Sequence, residues 1–342
     1  MNNNLRRILP PHLFGIAFLL SLFTLGCTES KSDKIENAIQ KGRSFLESIQ
    51  RGDGAIADTS NPLFDTWETI LATQALVDSP SDQPSEPAKA ALSYLKNNEN
   101  RHGLMCHNQK CRREICLETS AEYVRLLNMI RPEADYFGRV IPVLQAQKAN
   151  GSWDIGNPDV REAIDFPSVT GFVLGMLNVC DLGANDHNKA IEWLVAQQHP
   201  EGHWGKSWEY YGCTSYALWS IIGALSAYDD EASTTAIEKA QKYILNSQKI
   251  DGSWYEKGNE LRKVPSSELQ TALMINALQN CNPTKTQDAI DKGIDFLLTQ
   301  QSPDGSWDGG YFPIESQRYV KREYVVATAL SILALKASRD AI

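Results

Sequence analysis

At 342 residues the chain can bury one large core or two small ones, and length does not choose between them. Its net charge of −9 offers no basic stripe to neutralise phosphates, which excludes nucleic acid as an expected partner.

The first segment is read as a targeting element. Arg6 and Arg7 precede an apolar run from Leu13 to Leu25 that ends in Gly26-Cys27. This is a charged n-region, an h-region of signal-peptide length and a small residue at the cut, and it is short for a membrane span. The ending, followed by polar residues from Thr28, resembles a bacterial lipoprotein signal. The resemblance implies acylation of Cys27 with a palmitate-type lipid, a tether over 28–34, and a mature domain over 35–342 held at the bacterial cell envelope. Thr28 after the cysteine suits the outer membrane, and a plain secreted protein or an uncleaved anchor are the alternatives.

From residue 35 onward a motif returns six times. Four copies are plain: Gln147-x3-Gly151-Ser-Trp153, Gln198-x3-Gly202-His-Trp204, Gln248-x3-Gly252-Ser-Trp254 and Gln301-x3-Gly305-Ser-Trp307. Two worn copies, Gln50…Gly54-Ala-Ile56 and Asn98…Gly103-Leu-Met105, precede them. A period near fifty residues means a repeat architecture, so the chain is one array and not two domains. Helical segments with one polar face are predicted before each motif, over 34–50, 86–97, 136–147, 185–198, 233–248 and 286–301. Segments apolar nearly all round are predicted after it, over 66–77, 118–130, 168–179, 214–228, 267–278 and 324–335. Two concentric layers follow, an all-α (α/α)6 barrel with polar-faced helices outside, and no strand is needed. Small residues at Gly171, Gly175, Gly223 and Ala224 permit close approach of the inner helices. The motif itself is read as structural: Gln closes the outer helix, Gly takes the backbone geometry that ends it, and Trp packs beneath the turn.

Six cysteines remain after Cys27, namely Cys106, Cys111, Cys116, Cys180, Cys213 and Cys281. In an oxidising compartment they permit up to three disulfides, with a local one among Cys106, Cys111 and Cys116 favoured over zinc, because the spacing matches no known zinc finger.

The Gln-x3-Gly-Ser-Trp repeats, Phe64-Asp65-Thr66, Tyr211-Gly212-Cys213-Thr214, Ser266-Ser267-x2-Gln270-Thr271 and Trp307-x3-Tyr311-Phe312-Pro313 resemble the squalene–hopene and oxidosqualene cyclase superfamily, which shares its barrel with protein prenyltransferase β-subunits. The resemblance implies the barrel more firmly than the activity. The Asp-x-Asp-Asp acid that starts cyclisation in the family is nearest Asp165-Phe166-Pro167-Ser168 here, with Pro167 at the catalytic position. The zinc-binding Asp, Cys and His of prenyltransferases are matched only at Cys213. No cofactor is therefore expected, zinc included.

An array of this kind has a cavity rimmed by the inner-helix N-termini, which favour acids and anions. Asp165, Glu118 and Asp65 are the catalytic candidates, and Ser168, Tyr211, Cys213, Thr214, Glu268, Tyr319 and Glu323 the candidates for the ligand cavity. Each is also readable as a helix cap. Two functions stand level: a terpene-cyclase-like or prenyltransferase-like enzyme acting on a hydrophobic, isoprenoid-type molecule, and a non-catalytic ligand-binding or scaffold lipoprotein of the envelope. A polysaccharide-processing α/α barrel is a third.

Overall fold

A computed structural model describes residues 30–58, 64–78, 83–108, 111, 114–132, 134–156, 165–180, 187–205, 213–256, 264–313 and 320–340. Twelve helices are found among these residues, α1 (Lys31–Ser48), α2 (Asp65–Leu76), α3 (Glu86–Asn97), α4 (Leu117–Ile130), α5 (Phe137–Gln145), α6 (Pro167–Val179), α7 (His187–Gln197), α8 (Thr214–Leu225), α9 (Glu231–Ser247), α10 (Ser267–Leu278), α11 (Pro283–Gln300) and α12 (Val325–Arg339). The even-numbered helices pack in order, each on the next, and α12 closes on α2. This inner ring is buried: every residue of α2 is inside, and α6 and α8 are buried over all but a few positions. The odd-numbered helices lie outside. In α9, Ala236, Ala240 and Ile244 form the buried stripe of an amphipathic helix. The protein is an (α/α)6 barrel.

Helix α1 begins at Lys31 on a capping box between Ser30 and Asp33, so the expected tether over 28–34 overlaps the first helix. Among the described residues, no helix is long and apolar enough to cross a membrane.

The motif is a brace between repeats. Gln Nε2 donates to the carbonyl of its own motif glycine and to a carbonyl of the next outer helix: Gln50 to Pro87 at 2.9 Å, Gln198 to Ala236 and Gln248 to Ala289 at 2.8 Å. Gln301 makes the same bond to Ala38 at 2.8 Å and so joins the last repeat to the first. The glycine does not end the helix, as the sequence suggested, because it lies four residues beyond the glutamine. It takes φ of +87° at Gly252 and +94° at Gly305, where a Cβ would collide with the Lys292 and Lys41 carbonyls of the following outer helix. Trp153, Trp204, Trp254 and Trp307 are buried, and each indole donates to its own outer helix, as Trp254 Nε1 does to Ile244 O at 2.8 Å. The backbone N–H of the same motif position donates to a hydroxyl on the inner helix: Ile56 to Thr69, Met105 to Ser120, Trp153 to Thr170, Trp254 to Thr271 and Trp307 to Thr328, at 3.0–3.1 Å.

Short strands do occur, although the barrel does not require them. In β1 (Val264–Pro265), β2 (Gly310–Pro313) and β3 (Val320–Glu323) the chain forms a small antiparallel sheet of order β1-β2-β3. The connections from motif to inner helix in repeats five and six are long enough to pair their backbones instead of turning directly into the helix. Of the small inner residues, Gly171 is the one that close packing requires: a Cβ there would stand 2.9 Å from Ile221 Cγ1, whereas at Gly175 it would make ordinary contact.

Candidate site at the barrel mouth

Four outer helices, α1, α3, α9 and α11, carry their own side-chain caps, from Ser30, Ser85, Asp230 and Asn282. Of the inner helices only α10 does, from Ser266. The first N–H groups of a helix need acceptors, and at five of the six repeats the segment after the motif supplies one to the preceding repeat. His107 O receives Trp67 N of α2 at 3.5 Å, Ile155 O receives Leu117 N of α4 at 2.9 Å, and Gly309 O receives Ser266 N before α10 at 3.2 Å. The Glu256 carboxylate receives Thr214 N of α8. Asp58 Oδ2 receives Tyr324 N and Val325 N at the start of α12, at 3.0 and 3.2 Å, which closes the cycle from repeat one to repeat six. Asp58 and Glu256 were not among the expected site residues. Their signal was present in position, two residues after the motif's last member.

The acids expected at the mouth therefore divide. Asp65, first in α2, is buried and ion-paired to Arg51 at 3.3 Å. Asp165, just before α6, is bound by Lys148 and by Asn150 Nδ2 at 3.2 Å. Burial works to raise its pKa, but hydrogen bonds from Lys148, Ser152 and Asn150 outweigh it and hold the carboxyl below the usual range. A group so held is ionised at neutral pH. Glu268 is half-buried and accepts from Ser267 at 2.9 Å. Glu323 ends β3, buried, with its carbonyl on Gly309 N at 2.7 Å.

Glu118, the second residue of α4, is 5% exposed and accepts the Tyr216 phenol at 2.6 Å. Helices α4 and α8 are separated in the ring by α6, so this bond crosses the bore. It lies in an aromatic cluster: Trp67 stands edge-on to Phe172 at 5.9 Å, and Phe172 packs on Tyr216 at 5.5 Å and on Trp219 at 5.2 Å. Trp67, Phe172 and Tyr216 are no more than 2% exposed, so rings fill the bore one to two turns below the mouth.

Ser168 and Thr214 are buried in the first turns of α6 and α8, and Cys213 Sγ lies 3.0 Å from Ser215 Oγ. Tyr211, Tyr319 and Cys27 lie outside the described residues. Cys106 and Cys111 form a disulfide beside His107. The Cys116 thiol is pushed up to about 12 by burial and then by the charge of Glu118, which makes it a poor nucleophile. A cavity of about 670 Å³ opens beside the mouth, between repeats two and three, lined by Asn100, His102, Glu114, Leu117 and Asp154 among others. It holds none of the expected cavity residues.

Comparison with known proteins agrees with this architecture. Residues 152–317 match the squalene-hopene cyclase C-terminal domain. The chain is 27% identical to the lanosterol synthase of Candida albicans over 236 residues, which cover 67% of this chain and 29% of that protein. It is 29% identical to the probable squalene–hopene cyclase of Sinorhizobium fredii over 128 residues, 35% of this chain and 19% of that one. The type II terpene cyclase MstE from Scytonema superposes with a TM-score of 0.72 at 16% identity, covering 92% of this chain and 100% of that one.

The matched domain, the cyclase and lanosterol synthase relatives and the superposed barrel together support the terpene cyclase superfamily. It spans under a third of the length of these curated relatives. The Scytonema cyclase likeness is one of fold, and a variant of that enzyme is solved with geranylgeranyl dihydroxybenzoate as its substrate. Within the barrel, Glu118 and Tyr216 form a buried polar pair in contact with the aromatic cluster.

Proposed function

We propose that this terpene-cyclase-like barrel binds a hydrophobic, isoprenoid-type molecule at its mouth, on the floor formed by Trp67, Phe172, Tyr216 and Trp219. The observation that carries the reading is the Tyr216–Glu118 bond set among those rings. Aromatic faces supply large apolar contact and attract positive charge, and one buried polar pair orients a ligand. The substrate seen in the Scytonema cyclase belongs to the same chemical class.

Catalysis is the second reading, with Glu118 and Tyr216 exchanging a proton with the bound molecule. Proton donation by Asp165 is disfavoured because Lys148 keeps that carboxyl ionised. Incubation of the purified chain with polyprenyl substrates and with native membrane lipid extract, followed by mass spectrometry, tests both readings. Retained isoprenoid supports binding; product that disappears in Glu118→Gln supports catalysis. An empty barrel after both incubations removes the proposal.

We propose further that acylated Cys27 anchors the domain at the cell envelope. The Cys106–Cys111 disulfide suits an oxidising compartment. Incorporation of labelled palmitate that is lost in Cys27→Ser is the expected result, and label retained in the variant refutes it.

A further inference from the structure

The loop after the second motif brings Cys106, His107 and Cys111 together, with their ligand atoms all within 4.8 Å of one another. His107 Nδ1 stands 3.4 Å from Cys106 Sγ and 3.6 Å from Cys111 Sγ. A tetrahedral zinc ion, with Zn–S of about 2.3 Å and Zn–N of about 2.0–2.1 Å, needs its nitrogen and sulfur ligands roughly 3.5 Å apart. The imidazole nitrogen already has that separation from both sulfurs. Only the two sulfurs must part, and reduction of the bond between them allows it.

The surrounding structure fixes the histidine. Its carbonyl receives Trp67 N at the start of α2, and its ring lies 5.8 Å from that of Phe64. At the far end of the loop, Cys111 N donates to Asn108 Oδ1 at 3.3 Å. Cys106 and His107 are 1% and 8% exposed, and Cys111 is the less buried of the two cysteines.

We propose that this loop is a thiol-dependent metal site, closed while the disulfide stands and, once reduced, taking one thiophilic divalent ion through Cys106 Sγ, Cys111 Sγ and His107 Nδ1. Two thiolates and an imidazole select zinc or cobalt(II) over magnesium and calcium. The fourth position is left to water or a ligand at the mouth. The chemistry balances with a dithiol reductant. It delivers two electrons and two protons to the Cys106–Cys111 bond and leaves as its own disulfide. The incoming ion then displaces both thiol protons to solvent, and neutral His107 donates its Nδ1 lone pair with its proton on Nε2. The inference is independent of the isoprenoid reading, since it concerns a different loop and a different ligand.

Cobalt(II) titration of the full chain tests it, oxidised and dithiol-reduced, without oxygen. The reduced protein should take one equivalent, with a thiolate-to-cobalt charge-transfer band and the intense visible bands of four-coordinate cobalt. The oxidised protein should give neither, and reoxidation should release the ion. Cys111→Ser and His107→Ala should each lose the four-coordinate spectrum, while Cys281→Ser should keep it. Equal binding by the oxidised and reduced wild-type chains overturns the proposal whatever the variants do. An unchanged spectrum and affinity in His107→Ala overturns it as well.

Discussion

Gln301 is where closure of the ring is most exposed to test. Its Nε2 donates to Gly305 O at 2.9 Å within its own motif and to Ala38 O at 2.8 Å on α1, at the opposite end of the chain. Gln248 makes the same two bonds inside the array, to Gly252 O at 3.0 Å and to Ala289 O at 2.8 Å. Truncation to alanine removes both bonds at either site. At about 1 kcal/mol net for each neutral hydrogen bond lost, the expected cost is ~2 kcal/mol. Unfolding entropy near 2.1 cal/mol/K per residue turns that into a fall in Tm of about 3 °C for a chain of this size.

Urea unfolding and scanning calorimetry of Gln301→Ala beside Gln248→Ala provide the comparison. In a closed ring the two substitutions cost the same, because every repeat has two neighbours. In an open array, where each repeat leans only on those beside it in sequence, the terminal latch contributes little. An unchanged midpoint in Gln301→Ala, with the full loss in Gln248→Ala, would refute the closure drawn from these bonds.

Three further outcomes are expected. Gly252→Ala should cost ~3 kcal/mol in denaturant, since its Cβ meets Lys292 O at a positive φ, whereas Gly138→Ala, with open space around it in α5, should be neutral or stabilising; equal effects would contradict the brace. Trp254→Ala should lose about 3–5 kcal/mol through the cavity it leaves, and a loss under ~1 kcal/mol would show that the indole is not core. Asp165 has a folded pKa below its unfolded value, so its contribution is present above the unfolded value and is lost as pH falls through the folded one. Stability followed from pH 5 to pH 3 should therefore decline less steeply in Lys148→Met, and matching slopes would refute the pairing.

The barrel was legible because its two helix types differ in kind. Residues 214–225 are apolar all round and 231–247 are not, and the period of the motif orders them. What the glycine does was not legible, since a positive φ next to a helix end reads as a cap until the next helix is seen against it. Nor were the hooks: Thr69, Ser120, Thr170, Thr271 and Thr328 look like ordinary small residues in inner helices, and only the folded chain brings each under the N–H of a motif. The acids failed for a similar reason. Helix caps were sought in the residues that begin each inner helix, but the acceptors come from a segment about forty residues away in sequence, or from the other end of the chain in the case of Asp58.

That arrangement changes which mouth acids are available for chemistry. Asp58 and Glu256 are engaged by peptide N–H groups, and Asp65 and Asp165 by Arg51 and Lys148. At Asp165 the hydrogen bonds from Lys148, Ser152 and Asn150 outweigh burial, stabilise the charged carboxylate and so weaken it as a proton donor. Glu118 is bound differently, by a phenol that itself carries a transferable proton and that reaches it from across the bore. A proton placed between Glu118 and Tyr216 can move without separating charge over a long distance, and the surrounding rings keep water out. The substitutions Glu118→Gln and Asp165→Asn therefore distinguish the two roles. Should the barrel turn over an isoprenoid, activity falls in the first and survives in the second, whose effect is confined to acid stability; the reverse order would return catalysis to the position that Lys148 occupies.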